Sequence, residues 1–434
     1  MPQFQPVRGM NDYLPDDAKK LRYVEQKTRE IAQLYGYQEV ITPLIESHEL
    51  LAAKAGEEIR HRMYTFNDMA GRKIALRAEF TPSIARLVAT KMRTMPKPLK
   101  LYCVGSLYRY DEPQFGRTRE FWQANYELMG TNNPEADAEI ITLTSHLLDA
   151  VGLHRHYIKI GHVGILRGIL TQENISETQQ NQIMQLLDKK QWNQALTTTQ
   201  NLKTSKQCLQ TLKTLIETRG RNTTKTTQEI SRIVKNYETA ANATQNLQEI
   251  IELTKHSNIT SEILIEAGFA RGLEYYTGMI FEPYVPELER TGLALGGGGR
   301  YDRLIELFGG EPTPSVGVAP GISRITLAIE KQQTPLKRPD TKHAMIIPLK
   351  NETLLQAHKI ASTLRQAGIP TEIELMRRST SKTLSDSDKR GIHFSIIIGP
   401  EETAEGKITL RNMKKRQQKK IKTEELIKEI AKDE

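Results

Sequence analysis

The sequence predicts an α+β protein of several domains that closes with a small α/β domain. Three observations carry that expectation. Two apolar runs, LKLYCVGSLY and EFWQANYELMG, flank a charged loop, so residues 104–127 read as two half-buried strands joined by a hairpin. Residues 166–257 are poor in glycine and aromatics and rich in Gln, Thr, Asn and Lys, with Ile and Leu recurring at helical spacing. Residues 343–434 alternate strand-like and helix-like runs, the pattern of a mainly parallel sheet with crossover helices. A chain of 434 residues holds two or three domains with sizeable cores.

Composition excludes several classes. At 38% hydrophobic and 26% charged residues, the chain is not a membrane protein, and no run approaches the roughly 18 apolar residues of a spanning helix. The N-terminal MPQFQPVRGMNDYLPDD has no basic start followed by an apolar core, so it is not a secretory signal. Cys103 and Cys208 lie far apart and near no His/Cys cluster, which fits reduced thiols in a cytoplasmic protein and argues against a cysteine zinc site. The net charge of +9 leans toward a polyanionic partner.

PVRGMNDYLP is punctuated by Gly, Pro and Asn, and Asp16 and Asp17 suit the start of a helix. Leu21, Val24, Thr28, Ile31 and Tyr35 recur at three and four, giving an amphipathic helix over 17–35 that Gly36 stops. Residues 37–41 form a short strand ended by Thr42-Pro43. MYTFND and KIALRAE are strands joined by a turn at Met69-Ala70-Gly71. TPSIARLVATKM starts a helix with Thr81 as N-cap and Pro82 at its first position, which puts Glu79 and Thr81 at a strand-to-helix corner. PEADAEIITLTSHLLDAV is a helix and HYIKIGHVG a strand.

After the helical segment the β pattern returns. ILIEAGFARGLEYYTGMIFEPYVP holds two apolar runs with Arg271, Glu274, Tyr275 and Tyr276 between them. LALGGGGRYDRL carries four glycines ahead of Arg300-Tyr301-Asp302 and matches neither a P-loop nor a dinucleotide fingerprint. Those glycines read as a flexible turn or as bare backbone that a flat ligand can approach. PSVGVAPGISRITLAIEK is a strand, a Pro-Gly corner and a helix bearing Arg324. QQTPLKRPDT is a linker, and the strands and helices of the last domain follow. Lys414, Lys415, Arg416, Lys419, Lys420 and Lys422 precede the final helix as a solvated surface or a phosphate-backbone contact.

No nucleophile–base set and no metal-ligand spacing stands out. Arginine recurs instead at predicted strand ends: Arg109, Arg271 and Arg324. Three fixed guanidiniums in one pocket hold a triphosphate and neutralise charge that develops in phosphoryl or nucleotidyl transfer. Glu79, Glu127 and Glu274 then need cationic partners, whether Mg²⁺, an amine or a protonated ring, and Tyr275 and Tyr276 suit a small planar group.

These residues carry a resemblance. The chain resembles the histidyl-tRNA synthetases, a class II aminoacyl-tRNA synthetase family. YGYQEVITPLIE is similar to motif 1 with Pro43 as its proline, the stretch with Tyr108-Arg109-Tyr110-Asp111-Glu112 to motif 2, and GVAPGISRI to motif 3. ARGLEYYTG and LGGGGRYDRL resemble the two histidyl signatures, and the last domain resembles the anticodon-binding domain. The resemblance implies a class II catalytic domain with a six-stranded antiparallel sheet and flanking helices, in two parts over 1–165 and 258–330. It further implies a helical insertion domain over 166–257 that approaches the acceptor arm, a linker over 331–342 and an anticodon-binding domain over 343–434. A homodimer built around motif 1 is also implied.

The implied reaction activates L-histidine with ATP and passes histidine to the 3′ end of tRNA(His). Carried over, Glu79 and Thr81, with Phe80 between them on the histidine side, bind the α-amino end. Gln123 faces the carboxylate, and Glu127 with Tyr275 or Tyr276 holds the imidazole. Arg109 and Arg271 are the catalytic grip on the α-phosphate, Arg271 also touching histidine. Arg109, Arg117 and Arg324 bind ATP. Mg²⁺ comes with ATP, no protein motif supplying a metal site. Two departures stand out: Glu274 replaces an aspartate, and either Asp111 or Glu112 does the work of the motif 2 glutamate. Glu112 and Gln114 are candidates for facing the tRNA's extra 5′ guanosine. Two rival readings are a synthetase-like regulatory subunit of ATP phosphoribosyltransferase and a non-catalytic RNA-binding protein on the same scaffold.

Overall fold

The structure, a computed structural model, describes residues 4–336 and 342–432, so part of the expected linker, 337–341, lies outside the described residues. It divides into two compact units, Met1–Leu336 and Lys337–Glu434.

The first unit opens with helix α1 (Pro15–Leu34), with Pro15 in its first turn ahead of Asp16 and Asp17. Leu21, Val24, Thr28 and Ile31 form its buried stripe, and Gly36 ends it at φ 76°. Next come β1 (Gln38–Glu39), β2 (Ile45–Ser47), α2 (His48–Ala52), α3 (Gly56–His61), β3 (Thr65–Asn67), β4 (Lys73–Leu76) and α4 (Thr81–Thr90). The predicted hairpin is β5 (Leu99–Tyr108) and β6 (Glu120–Met129), followed by α5 (Pro134–Ala150) and β7 (Tyr157–His162). Then come α6 (Val163–Gln172), α7 (Glu177–Asp188), α8 (Trp192–Asn201), α9 (Lys206–Glu217), β8 (Arg219–Gly220), α10 (Thr223–Ile233) and α11 (Glu238–His256). The unit closes with β9 (Glu262–Glu266), β10 (Met279–Tyr284), α12 (Pro286–Glu289), β11 (Gly296–Arg300), α13 (Leu304–Leu307), β12 (Ser315–Pro320) and α14 (Ile322–Lys331).

Nine strands form one sheet in the order β1-β5-β6-β12-β11-β10-β7-β9-β8. Its middle six, β5 to β7 in that order, are antiparallel throughout, as expected. Parallel β1 flanks one side, and parallel β9 with antiparallel β8 the other. Strand alternation sends Ala124, Tyr126 and Leu128 of β6 into the core, where the Tyr126 hydroxyl donates to the Thr28 carbonyl at 2.8 Å. Gln123, Asn125 and Glu127 therefore share the other face. The helices between β7 and β9 pack on this sheet: one continuous core includes Ile183, Leu212 and Leu247 along with Leu101 and Ile160.

Two local expectations change. Thr81 is not the N-cap of α4; Phe80 holds that place and the cap carries no side-chain hydrogen bond. The four glycines are not a turn: they are β11, a central strand. A Cβ on Gly297 would overlap the Arg271 guanidinium, and one on Gly317 of β12 would overlap the Glu127 carboxylate. The bare backbone makes room for the protein's own charged side chains.

In the second unit, β13 (Ala344–Pro348), α15 (Leu354–Gln366), β14 (Thr371–Ile373), α16 (Thr380–Lys389), β15 (Phe394–Ile398), α17 (Pro400–Ala404), β16 (Lys407–Asn412), β17 (Gln417–Lys422) and α18 (Leu426–Ala431) build a five-stranded sheet in the order β14-β13-β15-β16-β17. Its first three strands are parallel and its last two antiparallel, so the sheet is mixed where a mainly parallel one was expected. The difference lies in β17, hidden in the sequence by its lysines. It is an edge strand whose only buried side chain is Ile421, and charged edges keep sheets from pairing with other chains.

Candidate active site

A cavity of about 610 Å³ lies over the face of β6 that carries Gln123, Asn125 and Glu127. Its other walls come from the corner ahead of α4, the loop 271–276, β11, β12 and the start of α14.

One end is built from buried carboxylates. Glu127 is 1% exposed. Its Oε1 accepts from the Thr81 hydroxyl at 2.7 Å and from Asn125 Nδ2 at 3.1 Å, and its Oε2 from the Tyr301 hydroxyl. Burial pushes its pKa up to about 7 against the pull of these three donors. Asn125 also donates to Thr81 Oγ1 at 3.0 Å and accepts from Gln123 Nε2 at 2.9 Å, so five side chains, Tyr301 among them, form one connected network. At the same end, Glu79 Oε2 accepts from the Tyr275 hydroxyl at 3.1 Å. Its Oε1 is buried without a hydrogen-bond partner, and burial raises its pKa while Arg109 and Tyr275 oppose the shift. A buried, unsatisfied carboxylate oxygen facing a cavity is a receptor for a cation or N–H donor. Tyr275 lies against Tyr276 and Tyr301, with ring centroids 4.9 and 5.7 Å away, forming an aromatic wall.

The other end is cationic. Arg109, Arg117, Arg271 and Arg324 all line the cavity. Arg109 is held by its Nε donating to the Ala78 carbonyl at 2.9 Å, and Arg324 by its Nη1 donating to the Ala294 carbonyl at 2.9 Å. Burial, then the charges of Arg109 and Arg117, push the Arg324 pKa down to about 10. Crowded, preoriented guanidiniums of this kind form a polyanion site. Arg271 Nη1 donates to Glu282 Oε1 at 2.6 Å. Glu282 Oε2 also accepts from Tyr284 at 2.6 Å and lies 3.1 Å from Lys159 Nζ. Burial works against ionised Glu282, but Arg271 and Lys159 hold its pKa below the usual value. Two carboxylates here are already paired, Asp111 with Arg62 at 3.1 Å and Glu282 as above, and among the described residues no group of three or more His, Cys, Asp or Glu side chains is placed to hold a metal ion.

Of the expected site residues, Glu79, Thr81, Arg109, Arg117, Gln123, Glu127, Arg271, Tyr275, Tyr276 and Arg324 meet around this cavity. Phe80 does not: its ring is fully buried beneath Arg77, at 4.6 Å, because alternation at the corner turns it away from Glu79 and Thr81. Asp111 lines the cavity, whereas Glu112 is exposed and pairs with Arg8. Gln114 is exposed as well. Glu274 lines a different cavity, with Arg167 and Arg303, on the other side of Tyr275 and Tyr276. Sequence reasoning missed Asn125 and Glu282. The two-residue period through Gln123 and Glu127 points to the first, and a lone acid inside MIFEPY to the second.

Comparisons with known proteins point to one family. The family model described as Histidyl-tRNA synthetase matches residues 9–325, and the one described as Anticodon binding domain matches 343–433. The histidine--tRNA ligase of Methanocaldococcus jannaschii is 41% identical over 426 residues, 98% of each chain. A solved apo histidyl-tRNA synthetase from S. aureus superposes with TM-score 0.72 at 25% identity over 99% of this chain and 100% of that one. One from Nostoc sp. PCC 7120 gives TM-score 0.80 at 22% identity over 99% of each, a likeness of fold.

Proposed function

The chain belongs to the histidyl-tRNA synthetase family, and from that premise we propose how its cavity performs the reaction. The activity is that of a histidine--tRNA ligase with ATP as substrate. Histidine is activated to histidyl-adenylate with release of pyrophosphate and then transferred to tRNA, the second unit being an anticodon-binding domain. The observation that carries the site assignment is one cavity with buried carboxylates at one end and four arginines at the other.

The free Oε1 of Glu79 receives the α-ammonium group, with Thr81 beside it. Glu127 and the tyrosine wall receive the imidazole; a side chain without ring nitrogens could not add a hydrogen bond to the Glu127 network. Gln123 lies toward the carboxylate. One carboxylate oxygen attacks the α-phosphorus, the bond to the β-phosphate oxygen breaks, and pyrophosphate leaves. Arg109 and Arg271 neutralise the charge that builds on the α-phosphate, and Arg117 and Arg324 hold the tail. The terminal ribose hydroxyl of tRNA(His) then attacks the carbonyl carbon and AMP departs. Positioning and electrostatics supply the catalysis without a protein nucleophile. Mg²⁺ would come with the ATP phosphates, since Asp111 and Glu282 are already engaged by arginine and lysine.

The test is pyrophosphate exchange with each of the twenty amino acids. Histidine alone is expected to drive it; exchange with another amino acid, or none, overturns the assignment.

Residues 1–165 and 258–330 are the proposed catalytic parts, 166–257 the insertion that meets the acceptor arm, 331–342 the linker and 343–434 the anticodon-binding domain. The regulatory-subunit and RNA-binding readings are not favoured, since near-full-length relatives carry the ligase name and the arginine set is in place. A cytoplasmic location is proposed, supported by two buried free cysteines. A homodimer is supported by apolar side chains left open around motif 1: Ile41 is 88% and Met69 108% exposed, with Leu44, Ile45 and Phe66 also exposed. Ile41→Asp combined with Phe66→Asp is expected to give monomers by light scattering; an unchanged dimer mass would place the interface elsewhere.

A further inference from the structure

Asp188 is the last residue of α7, in the helical segment between β7 and β9. That is a poor place for an acid, because the final carbonyls of a helix carry partial negative charge. Its carboxylate has a specific neighbour. A Cβ built on Gly272 would sit 2.9 Å from Asp188 Oδ2, and within 4 Å it would meet nothing but that carboxylate. The same turn is held from the other side. Gly56 opens α3 at φ 74°, and a Cβ there would lie 2.5 Å from the Gly272 carbonyl oxygen. The turn that carries Arg271 is thus clasped between the α7 terminus and the α3 start. Arg271 itself is pinned by Glu282 at 2.6 Å. Asp188 retains solvent access but has Arg271 as a nearby cation, with Glu282 and Glu58 as nearby acids.

We propose that Asp188, carried by the insertion, is a positioning residue for Arg271: its carboxylate against Gly272 sets the Arg271-Gly272 turn and so the aim of the guanidinium at the α-phosphate. This rests on the role given to Arg271 above. It also means that a displacement of the α7 terminus is felt at the activation site with no residue of the insertion touching histidine or ATP.

The experiment uses the full-length protein and histidine-dependent pyrophosphate exchange. Asp188→Ala is expected to lower kcat about tenfold and leave KM for histidine and ATP within about twofold, the pattern of a lost transition-state interaction. Asp188→Glu, which keeps the charge, recovers part of the loss. Gly272→Ala alone produces a similar deficit by pushing the carboxylate away. The double variant Asp188→Ala with Gly272→Ala is no slower than either single one, because the added methyl then has nothing to meet. An additive double variant, an unchanged kcat in Asp188→Ala, or a fall in kcat matched by a fall in melting temperature overturns the proposal. Arg271→Ala run alongside separates the two claims. If it loses exchange while Asp188→Ala does not, the positioning role alone fails; if it retains exchange, the reading of Arg271 fails and this inference with it.

Discussion

Arg271→Ala is expected to lower histidine-dependent pyrophosphate exchange about a thousandfold, the upper range for removing one preorganised donor at a developing charge. The expectation follows from how little freedom the side chain has. Glu282 holds one nitrogen, the bare backbone of Gly297 leaves room for the guanidinium, and the Tyr276 ring centre lies 5.8 Å away. Its Nε is buried without a hydrogen-bond partner, so the side chain has donor capacity left for a ligand. Burial opposes the charge, but Tyr276, Glu282 and Asp188 together raise the arginine pKa above its ordinary value. The guanidinium therefore stays charged and aimed before substrate arrives, which is what electrostatic catalysis requires. Arg271→Lys restores the charge but not the planar fork and should recover only a small part of the rate. Single-turnover adenylate formation measures this directly; a loss below tenfold would remove Arg271 from the chemical step.

Glu127→Gln is expected to separate recognition from stability. The KM for histidine should rise about a hundredfold, as for a site built to pair with a polar group it no longer matches, while ATP binding by calorimetry stays unchanged. Equal loss of both ligands would refute the imidazole assignment. The same substitution should stabilise the protein at high pH. Burial lifts the Glu127 pKa from 4.5 to about 7 in the fold. Between those values the folded chain holds a proton that the unfolded chain has released, so stability falls as pH rises from 4.5 to 7 and the whole cost persists above 7. The cost is on the order of 3 kcal/mol for a shift of this size. Glutamine never ionises and avoids it. Urea unfolding should show Glu127→Gln more stable than the parent at pH 8 and the gap narrowing as pH falls toward 5. A gap independent of pH would mean that Glu127 does not titrate in this range.

The sequence made some of this visible for physical reasons. The hairpin β5–β6 announces itself because apolar and polar residues alternate along its strands, and its charged loop cannot be core. The arginines were traceable by their glycine or aromatic neighbours, although only Arg109 directly follows a strand: Arg271 lies in the loop between β9 and β10, and Arg324 in helix α14. Other features depend on contacts between distant segments, which local pattern does not encode. Phe80 and Thr81 were both placed in the site, yet the backbone turns one into the core and the other onto Glu127. Glu282 matters because β10 brings it to an arginine eleven residues earlier. Strand β17 was hidden because a charged edge strand looks like a solvated loop. Between Asp111 and Glu112, only the fold decides which side chain turns inward.

The glycine strand β11 has a consequence for how this gene can vary. Every single-nucleotide change to a glycine codon that alters the amino acid and does not end translation adds a Cβ. At Gly297 that atom meets the guanidinium of Arg271, and at Gly317 on the adjacent strand it meets the carboxylate of Glu127. Neither neighbour can withdraw without loss of its own role. A compensating second change would have to replace a group of the proposed active site. These two positions are therefore closed to stepwise drift.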